Sequence, residues 1–402
     1  MGALPDTQSY SIAAQSHWLG LIFEVCDEGL LLPLLFVLGA VRRDTNEMAA
    51  AVRGGLLVVA AVFGLLAIAV ILGAPLLVAS MAQPASLVDS TVSYIRLETI
   101  GLALGTLAKC LSIPLLLLQR SRALAWLLAT QCGSNLLGDS CLLGAFPFSL
   151  HLGVSGVAWT NILVQGGQTA LAAYFLRTAG ITALLSSKLP TAGWFGLWWS
   201  RGWRSGLESL IRNAAFAVMV LRLVNEVQEQ KSFWVANQVI WGLLLVPVLA
   251  IGELIRRDFA DRPGAIRSRL SGYLQFTGLV VLAWLVFLPC LPSFLKVILR
   301  TPDPVPVMNT IFWLLGFYVL FAFNHLVDSV FYGLGRTDFM LSQTIFVNVS
   351  VYGVAFGLYL AGVFVPSLFR IICLFGLGIV VDCGITFLKL RRLLREEPLT
   401  NW

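Results

Sequence analysis

The sequence has little charge. Asp, Glu, Lys and Arg make up only 12% of its 402 residues, about half the share found in soluble domains, while 58% of the residues are hydrophobic. This shortage excludes a soluble enzyme and a disordered chain. It also excludes a nucleic-acid binder, because the net charge of +6 is spread thinly and forms no basic face.

Motifs for catalysis and metal binding are missing as well. The seven cysteines lie singly in apolar runs without CxxC spacing, so we interpret them as small core hydrophobes. No HExxH or GxSxG occurs, and GLGRTD at 333–338 lacks the Lys-Ser/Thr pair of a Walker A loop. The sequence therefore predicts no enzyme activity and no cofactor. Any transport would therefore be driven by an ion gradient or by the concentration gradient of the substrate itself.

Long apolar runs dominate what is present. A helix needs about 20 mostly apolar residues to cross a bilayer. The short alternating segments of a membrane β-barrel are absent. The sequence thus predicts an all-α, polytopic membrane protein with eleven spans, at 15–40, 54–82, 95–118, 123–147, 154–176, 205–224, 233–255, 271–292, 307–334, 339–362 and 367–388.

Basic residues are sorted by loop. The connections after spans 1, 3, 5, 7 and 9, with the C-terminal tail, hold 19 of the 27 Lys and Arg, including Lys188 and Arg262. The opposite loops hold only Lys231, Lys296 and Arg300. Since cytoplasmic loops are rich in Lys and Arg, this pattern predicts a cell-membrane protein with its C-terminus in the cytoplasm.

An internal repeat relates the two halves. Residues 31–44 (LLPLLFVLGAVRRD) and 245–258 (LVPVLAIGELIRRD) share Pro and Arg-Arg-Asp at an offset of 214. The alternative is coincidence, since Pro inside helices and Arg pairs at their ends are common in polytopic proteins. We favour a true repeat, which predicts two parallel helical bundles with substrate between them. Five spans precede the middle of the chain and six follow it, so we expect one N-terminal helix to be absent.

The connection between the halves is too polar to span. It carries four tryptophans beside Arg201 and Arg204, which is typical of an amphipathic segment at a membrane interface. We therefore predict an N-terminal lobe at 1–180 (spans 1–5), a cytoplasmic linker at 181–204, and a C-terminal lobe at 205–402 (spans 6–11 and the basic tail).

Ionisable residues inside spans are costly and are functional candidates by default. In the first half, Glu24, Asp27 and Glu28 share one helix face, so at least one should be neutral or paired, unless they simply face water. Asn135 and Asp139, one turn apart, offer oxygens to Na⁺ or a proton. A helix–helix hydrogen bond is the alternative.

The second half begins with Glu208 and Arg212, whose i, i+4 spacing predicts a structural ion pair. Aromatic and amide residues that could line a cavity for an amphiphilic cation follow at helical spacing. These candidates are Trp234, Asn237, Gln238 and Trp241, and further along the chain Asn324 and Asp328, with His325 between the last two.

With this organisation, the chain resembles the MATE (multidrug and toxic compound extrusion) transporters of the MOP flippase superfamily. The strings that carry the resemblance, in order, are VLGAVRRD with its repeat IGELIRRD, Tyr94, NLLGD at 135–139, GVSGVAWTN at 153–161 and YGLGRTD at 332–338. The resemblance implies two six-helix bundles that export cationic or amphiphilic compounds by antiport with Na⁺ or H⁺, and a protein that acts as a monomer.

The resemblance also implies a coupling site in the N-terminal lobe. The family's Asn-x-x-x-Asp pair matches Asn135 and Asp139, and its hydroxyl ligand matches Thr160 or Asn161. A further acid lies in the family's first helix, which this chain does not show, so Asp27 or Glu24 would have to substitute. Asn324 and Asp328 occupy the region of a coupling acid in some members, and Glu28 would face the substrate. The alternatives are a flippase for lipid-linked saccharides and a degenerate homologue that does not transport.

Overall fold

The computed structural model describes residues 9–41, 44–143, 149–182, 192–261, 266–301 and 303–396. Arg42 and Arg43 of the repeat, Lys188 and Arg262 lie outside the described residues. Throughout the described ranges the regular structure is helical and contains no strand. The predicted all-α class is confirmed.

The chain divides into two compact units, Ala3–Asn213 and Ala214–Trp402. The helices of the first unit are α1 (Ser9–Ala14), α2 (Ser16–Ala40), α3 (Thr45–Ser80), α4 (Val88–Leu117), α5 (Ser121–Leu142), α6 (Val154–Thr178) and α7 (Ala192–Phe216), whose last residues pass into the second unit. Helix α4 is central, because it packs against α1, α2, α3, α5 and α6.

The second unit is built in the same way around α13, which packs against α9, α10, α11, α14 and α16. Its helices are α8 (Arg222–Glu226), α9 (Gln230–Val239), α10 (Val246–Asp261), α11 (Ile266–Phe287), α12 (Leu291–Ser293), α13 (Pro304–Gly333), α14 (Thr337–Val347), α15 (Val354–Leu360) and α16 (Leu368–Glu396). Short π-helical turns join several of them, at Ala217–Leu221, Ile240–Leu244, Phe294–Ile298 and Asn348–Gly353.

Six helices among the described residues are long and apolar enough to cross a membrane, and a seventh span results if a bent pair is counted as one. That pair, Gln230–Leu244 and Val246–Phe259, bends by 49° just before Pro247. Eleven spans were predicted, so the remaining four do not pass this test of length and composition. The helices also expose long apolar side chains, such as Leu72 and Leu76 of α3, which suit contact with lipid tails.

The units divide at a different place from the predicted lobes. Helix α7 runs without a break through the predicted junction at 204–205, and its residues up to Asn213 belong to the first unit. Within the linker, Trp199 and Trp203 are exposed as an interfacial segment requires. Trp198 is not: it is buried, and its indole Nε1 donates to the carbonyl of Leu30 over 2.8 Å. That bond fastens α7 to α2.

The cysteines also differ from expectation. All seven are free thiols, but only Cys110 and Cys383 are buried. Cys132, Cys141 and Cys290 are exposed on their helices. The reason is that an apolar run marks a membrane span, and a span has a lipid-facing side as well as a core-facing side.

The two aspartates of the repeat have different roles. Asp44 caps α3, since its Oδ1 accepts from the backbone N–H groups of Asn46 and Glu47 over 2.8 and 3.1 Å. Its counterpart Asp258 lies inside α10, where it pairs with Arg269 and accepts from the Tyr273 hydroxyl over 3.2 Å. The repeated sequence therefore gives a cap in one unit and a link between α10 and α11 in the other.

Glycines allow α2 and α7 to approach closely. A Cβ on Gly202 would collide with the carbonyl oxygen of Gly29 and would lie 3.2 Å from Cγ of Pro33. A Cβ on Gly206 would lie 3.3 Å from Cα of Gly29. Backbone therefore meets backbone at this crossing, as at other small-residue interfaces between membrane helices.

We predict that Gly202→Ala destabilises the protein by about 1–3 kcal/mol, because the added methyl overpacks this crossing. Gly196→Ala is the matched control. Gly196 lies in the same helix with nothing within 4 Å of its Cβ position, so alanine should leave the stability unchanged or raise it by up to about 1 kcal/mol. Thermal unfolding of the two purified variants in detergent measures this. Equal melting temperatures would contradict the proposed backbone contact.

Candidate functional site

Three acids surround one guanidinium at the contact between α2 and α7. Arg212 donates through Nη2 to Glu24 over 3.1 Å and to Glu28 over 2.8 Å, and through Nη1 to Glu208 over 2.9 Å. Glu208 is buried, whereas the other three side chains are partly exposed. Among the described contacts, the cluster joins three carboxylates to one guanidinium. We call it the Arg212 cluster.

Asp27 turns toward a different neighbour. Although it shares a helix face with Glu24 and Glu28, its carboxylate pairs with Nζ of Lys109 in α4 over 2.6 Å. It also accepts a weaker hydrogen bond from the Thr106 hydroxyl over 3.4 Å. All three acids of α2 therefore have a basic partner within the protein, and neither Asp27 nor Glu24 stands alone as a substitute coupling acid.

Asn135 and Asp139 lie one turn apart on α5, as predicted. Asp139 is exposed and Asn135 is half-buried. No hydrogen bond or ion pair involves either side chain in the part of the chain that the structure describes. Their oxygens are therefore available to a ligand, although nothing in this arrangement brings a further acid to them. Their predicted Na⁺ site stays a prediction.

Thr160 and Asn161 are adjacent in α6 but contact different helices. The Thr160 hydroxyl is buried and has no hydrogen-bond partner among the described residues. It packs against Gly138 of α5, where a Cβ would lie only 2.7 Å from Cγ2 of Thr160. Asn161 instead donates through Nδ2 to Oε1 of Glu98 in α4, over 2.6 Å. Of the two candidates for the hydroxyl ligand, Thr160 thus lies toward Asn135 and Asp139, and Asn161 lies toward α4.

Asn237 of α9, Trp241 of the turn between α9 and α10, and Tyr318 of α13 form a hydrogen-bonded chain in the second unit. The indole Nε1 of Trp241 donates to the Tyr318 hydroxyl over 2.8 Å, and that hydroxyl donates to Oδ1 of Asn237 over 3.3 Å. Phe321 packs against both rings, and His325 stacks on Phe321. Gln238 is exposed and Trp234 is half-buried. Trp241 and Asn237 therefore belong to one cluster, to which no described hydrogen bond connects Gln238.

Two aspartates of the second unit share their hydrogen-bond donors. Asn324 in α13 donates through Nδ2 to Asp328 over 3.0 Å and to Asp382 of α16 over 2.7 Å. Gln343 of α14 donates to Asp382 over 2.7 Å and to the Thr386 hydroxyl over 2.6 Å, and Thr386 donates to Asp328 over 3.0 Å. This network joins three helices. Asn324 and Asp328 therefore hold α13 against its neighbouring helices, in addition to any contact with substrate.

Some residues of these clusters escaped the sequence interpretation. Glu98 and Asp382 are acids inside predicted spans, and the rule that flags every intramembrane acid should have found both. Lys109 could have been found in the same way. The polar partners Gln343 and Thr386 carried no such signal, because only the packing of α14 against α16 brings them to the aspartates.

No arrangement of three or more His, Cys, Asp or Glu suited to a metal ion occurs among the described residues. The polar clusters instead consist of one or two carboxylates with amide and hydroxyl partners, or of carboxylates around a base. Such groups can bind and release a proton, hold a monovalent cation or recognise a cationic compound.

Several solved structures with a similar fold are of transporters. The chain is similar to an inward-facing multidrug resistance MATE family transporter of the MOP superfamily, with 17% identity, a TM-score of 0.73, and coverage of 97% of this chain and 96% of that one. An outward-facing structure of such a transporter has 16% identity, a TM-score of 0.72, and coverage of 97% and 89%. A MOP superfamily transporter from Pyrococcus furiosus, described as having a binding pocket of reverse polarity that suggests a different function, has 17% identity, a TM-score of 0.69, and coverage of 98% and 89%.

No protein-family model and no curated protein matches the sequence. The resemblance to the MATE transporters, predicted from the sequence, is confirmed at the level of the fold.

We predict that Asn324→Leu destabilises the second unit by about 1–3 kcal/mol, since both aspartates lose their shared donor. Asn309→Leu is the matched control, because Asn309 is exposed on the same helix. Thermal unfolding of the purified variants in detergent measures the difference. In the Asn324→Leu background, Asp382→Leu should cost less than it does alone. Additive effects would contradict a shared network.

Proposed function

We propose that the protein is a secondary active transporter that exports cationic or amphiphilic organic compounds by antiport with Na⁺ or H⁺. The observation that carries the proposal is the Arg212 cluster, where three carboxylates converge on one guanidinium inside a fold shared with known transporters. Buried or half-buried acids attract cations more strongly than acids in water do, because the surrounding medium screens them less.

The pairing of Arg212 with acids disfavours the main alternative. A flippase for lipid-linked saccharides needs unpaired basic groups to hold a pyrophosphate. Arg212 is already bound by three acids, and Arg96 donates through Nε to the carbonyl of Ile71 over 3.2 Å. A third arginine inside a predicted span, Arg222, is exposed. Two of these three arginines are thus already engaged with acceptors of the protein.

The polarity of the substrate still needs direct testing. The Pyrococcus furiosus transporter described as having reverse pocket polarity has the same fold, so the fold alone does not set the charge of the cargo. Multidrug sites are also apolar and adaptable. A permanent lipophilic cation such as ethidium is therefore the first probe, and a fluorescent lipid-linked diphosphate is the second.

We predict that the protein in proteoliposomes accumulates ethidium in response to a Na⁺ or pH gradient, and that Asp139→Asn abolishes this while leaving expression and melting temperature intact. The reason is that Asp139 and Asn135 supply the oxygens of the coupling site in the first unit. Asp89→Asn is the matched control, because Asp89 is an exposed acid in the first turn of α4. Fluorescence of the trapped dye measures uptake.

Normal uptake by Asp139→Asn would show that the coupling site is assigned wrongly. Absence of ethidium uptake by the wild type, together with transbilayer movement of the fluorescent lipid diphosphate, would favour the flippase instead. Absence of both activities under either gradient would favour a homologue that does not transport.

A further inference from the structure

The Glu98 carboxyl group has an unusual hydrogen-bonding state. Its side chain is buried in α4, with 6% exposure. Oε1 accepts the 2.6 Å hydrogen bond from Asn161, whereas Oε2 is buried and has no hydrogen-bond partner among the described residues. An ionised carboxylate with a single amide donor in apolar surroundings is unfavourable in free energy. Its second oxygen has lost its hydrogen bonds to water and has gained none from the protein.

The contact between α4 and α6 creates this state. Gly101 and Gly105 lie three and seven residues after Glu98, on the same face of α4. A Cβ on Gly101 would lie 3.2 Å from Cβ of Asn161, and one on Gly105 would lie 3.2 Å from Cδ of Gln165. The two glycines let α6 approach α4 closely, which brings the Asn161 amide to Glu98 and excludes larger groups from the contact.

No described residue forms an ion pair with Glu98. One turn earlier on α4, Tyr94 is buried in an apolar cluster with Ile12, Leu87 and Ala158. The titratable and charged groups whose side chains the structure describes on α4 and on the helices packed against it are Asp89, Tyr94, Arg96, Lys109 and Cys110 of α4, His17, Glu24, Cys26, Asp27 and Glu28 of α2, Glu47 and Arg53 of α3, Arg122, Cys132, Asp139 and Cys141 of α5, and Tyr174 and Arg177 of α6.

These observations indicate a site for a proton and not for a metal cation. A hard metal cation takes about six oxygen ligands, whereas Glu98 offers one unpartnered oxygen. Thr160, which precedes Asn161 in α6, carries another buried oxygen without a described partner, Oγ1. That oxygen lies against Gly138 of α5. A proton needs only one lone pair, which Oε2 supplies.

We propose that Glu98 is a proton carrier of the first unit, with Asn161 as the residue that positions it. A hydronium ion gives its proton to Oε2: one O–H bond of hydronium breaks, an O–H bond to Oε2 forms, and water is left beside a neutral acid. Release of the proton to water reverses these changes. The hydrogen bond from Asn161 holds Oε1, so the proton resides on Oε2. Its use in transport rests on the proposed antiport function, whereas the binding of the proton does not.

Carbodiimide labelling tests the proton site without requiring transport. Dicyclohexylcarbodiimide is an apolar reagent that modifies protonated carboxyl groups, and peptide mass spectrometry locates the adduct. In the intact wild-type protein in detergent, we expect an adduct on Glu98 at about pH 5 that falls about tenfold per pH unit once the carboxyl ionises. The exposed acids Glu47 and Asp89 serve as internal controls and should remain unmodified. No adduct on Glu98 at any pH, or protection by Na⁺ at constant pH, would overturn the proposal.

Transport by Glu98→Gln tests the coupling role. Glutamine keeps the shape of the protonated acid but cannot release a proton. We expect the variant to lose ethidium uptake driven by a pH gradient while it still binds ethidium in a fluorescence titration and melts like the wild type. A merely structural role would change binding and melting together. Glu47→Gln is the control that should transport normally.

The two possible failures are distinguishable. If the wild type and Glu98→Gln take up ethidium equally under a pH gradient, the assignment of Glu98 as proton carrier is wrong and the antiport function stands. If the wild type takes up no ethidium under any gradient but its Glu98 adduct still depends on pH, the proposed function is wrong and the proton site stands.

Discussion

The dominant constraint on this structure is that a polar group inside an apolar helix must find its partner within the protein, because the surroundings offer no water. The acids of α2 obey it by pairing with Arg212 and Lys109. The aspartates of α13 and α16 obey it through amides and a hydroxyl. Glu98 obeys it only in part, and that partial satisfaction makes it a candidate for reversible protonation.

Close helix packing is what makes these partners reachable. Gly202 and Gly206 bring α7 onto α2, where Arg212 meets the acids of that helix. Gly101 and Gly105 do the same for α4 and α6, and Gly138 for α5 and α6. Lipid tails are as apolar as the helices, so close van der Waals contact and hydrogen bonds from side chains of one helix to another supply much of the association energy. The close packing at the glycines is therefore what allows the polar clusters to form.

Periodicity and composition were sufficient for the coarse conclusions. They predicted an all-α membrane protein, whereas the likeness to the MATE transporters came from the resemblance of short motifs. They also flagged Glu24, Asp27 and Glu28 as acids of which at least one should be neutral or paired, and Asn324 and Asp328 as candidates for a substrate cavity. They did not show which partner each would find. Glu24 and Asp27 lie on the same face of α2, yet one binds Arg212 and the other binds Lys109. Spacing along a helix determines a face, whereas the neighbouring helix determines the contact.

The sequence by itself determined the fold class and the need for internal pairing, because both follow from the shortage of charge and the length of the apolar runs. Only the tertiary structure decided how each need is met. Equivalent aspartates of the repeat became a helix cap at Asp44 and an inter-helix link at Asp258. Likewise, the second oxygen of Glu98 has no partner among the described residues, because the approach of α6 supplies one amide to the other oxygen. Such outcomes depend on distances between residues far apart in the chain, which no local pattern encodes.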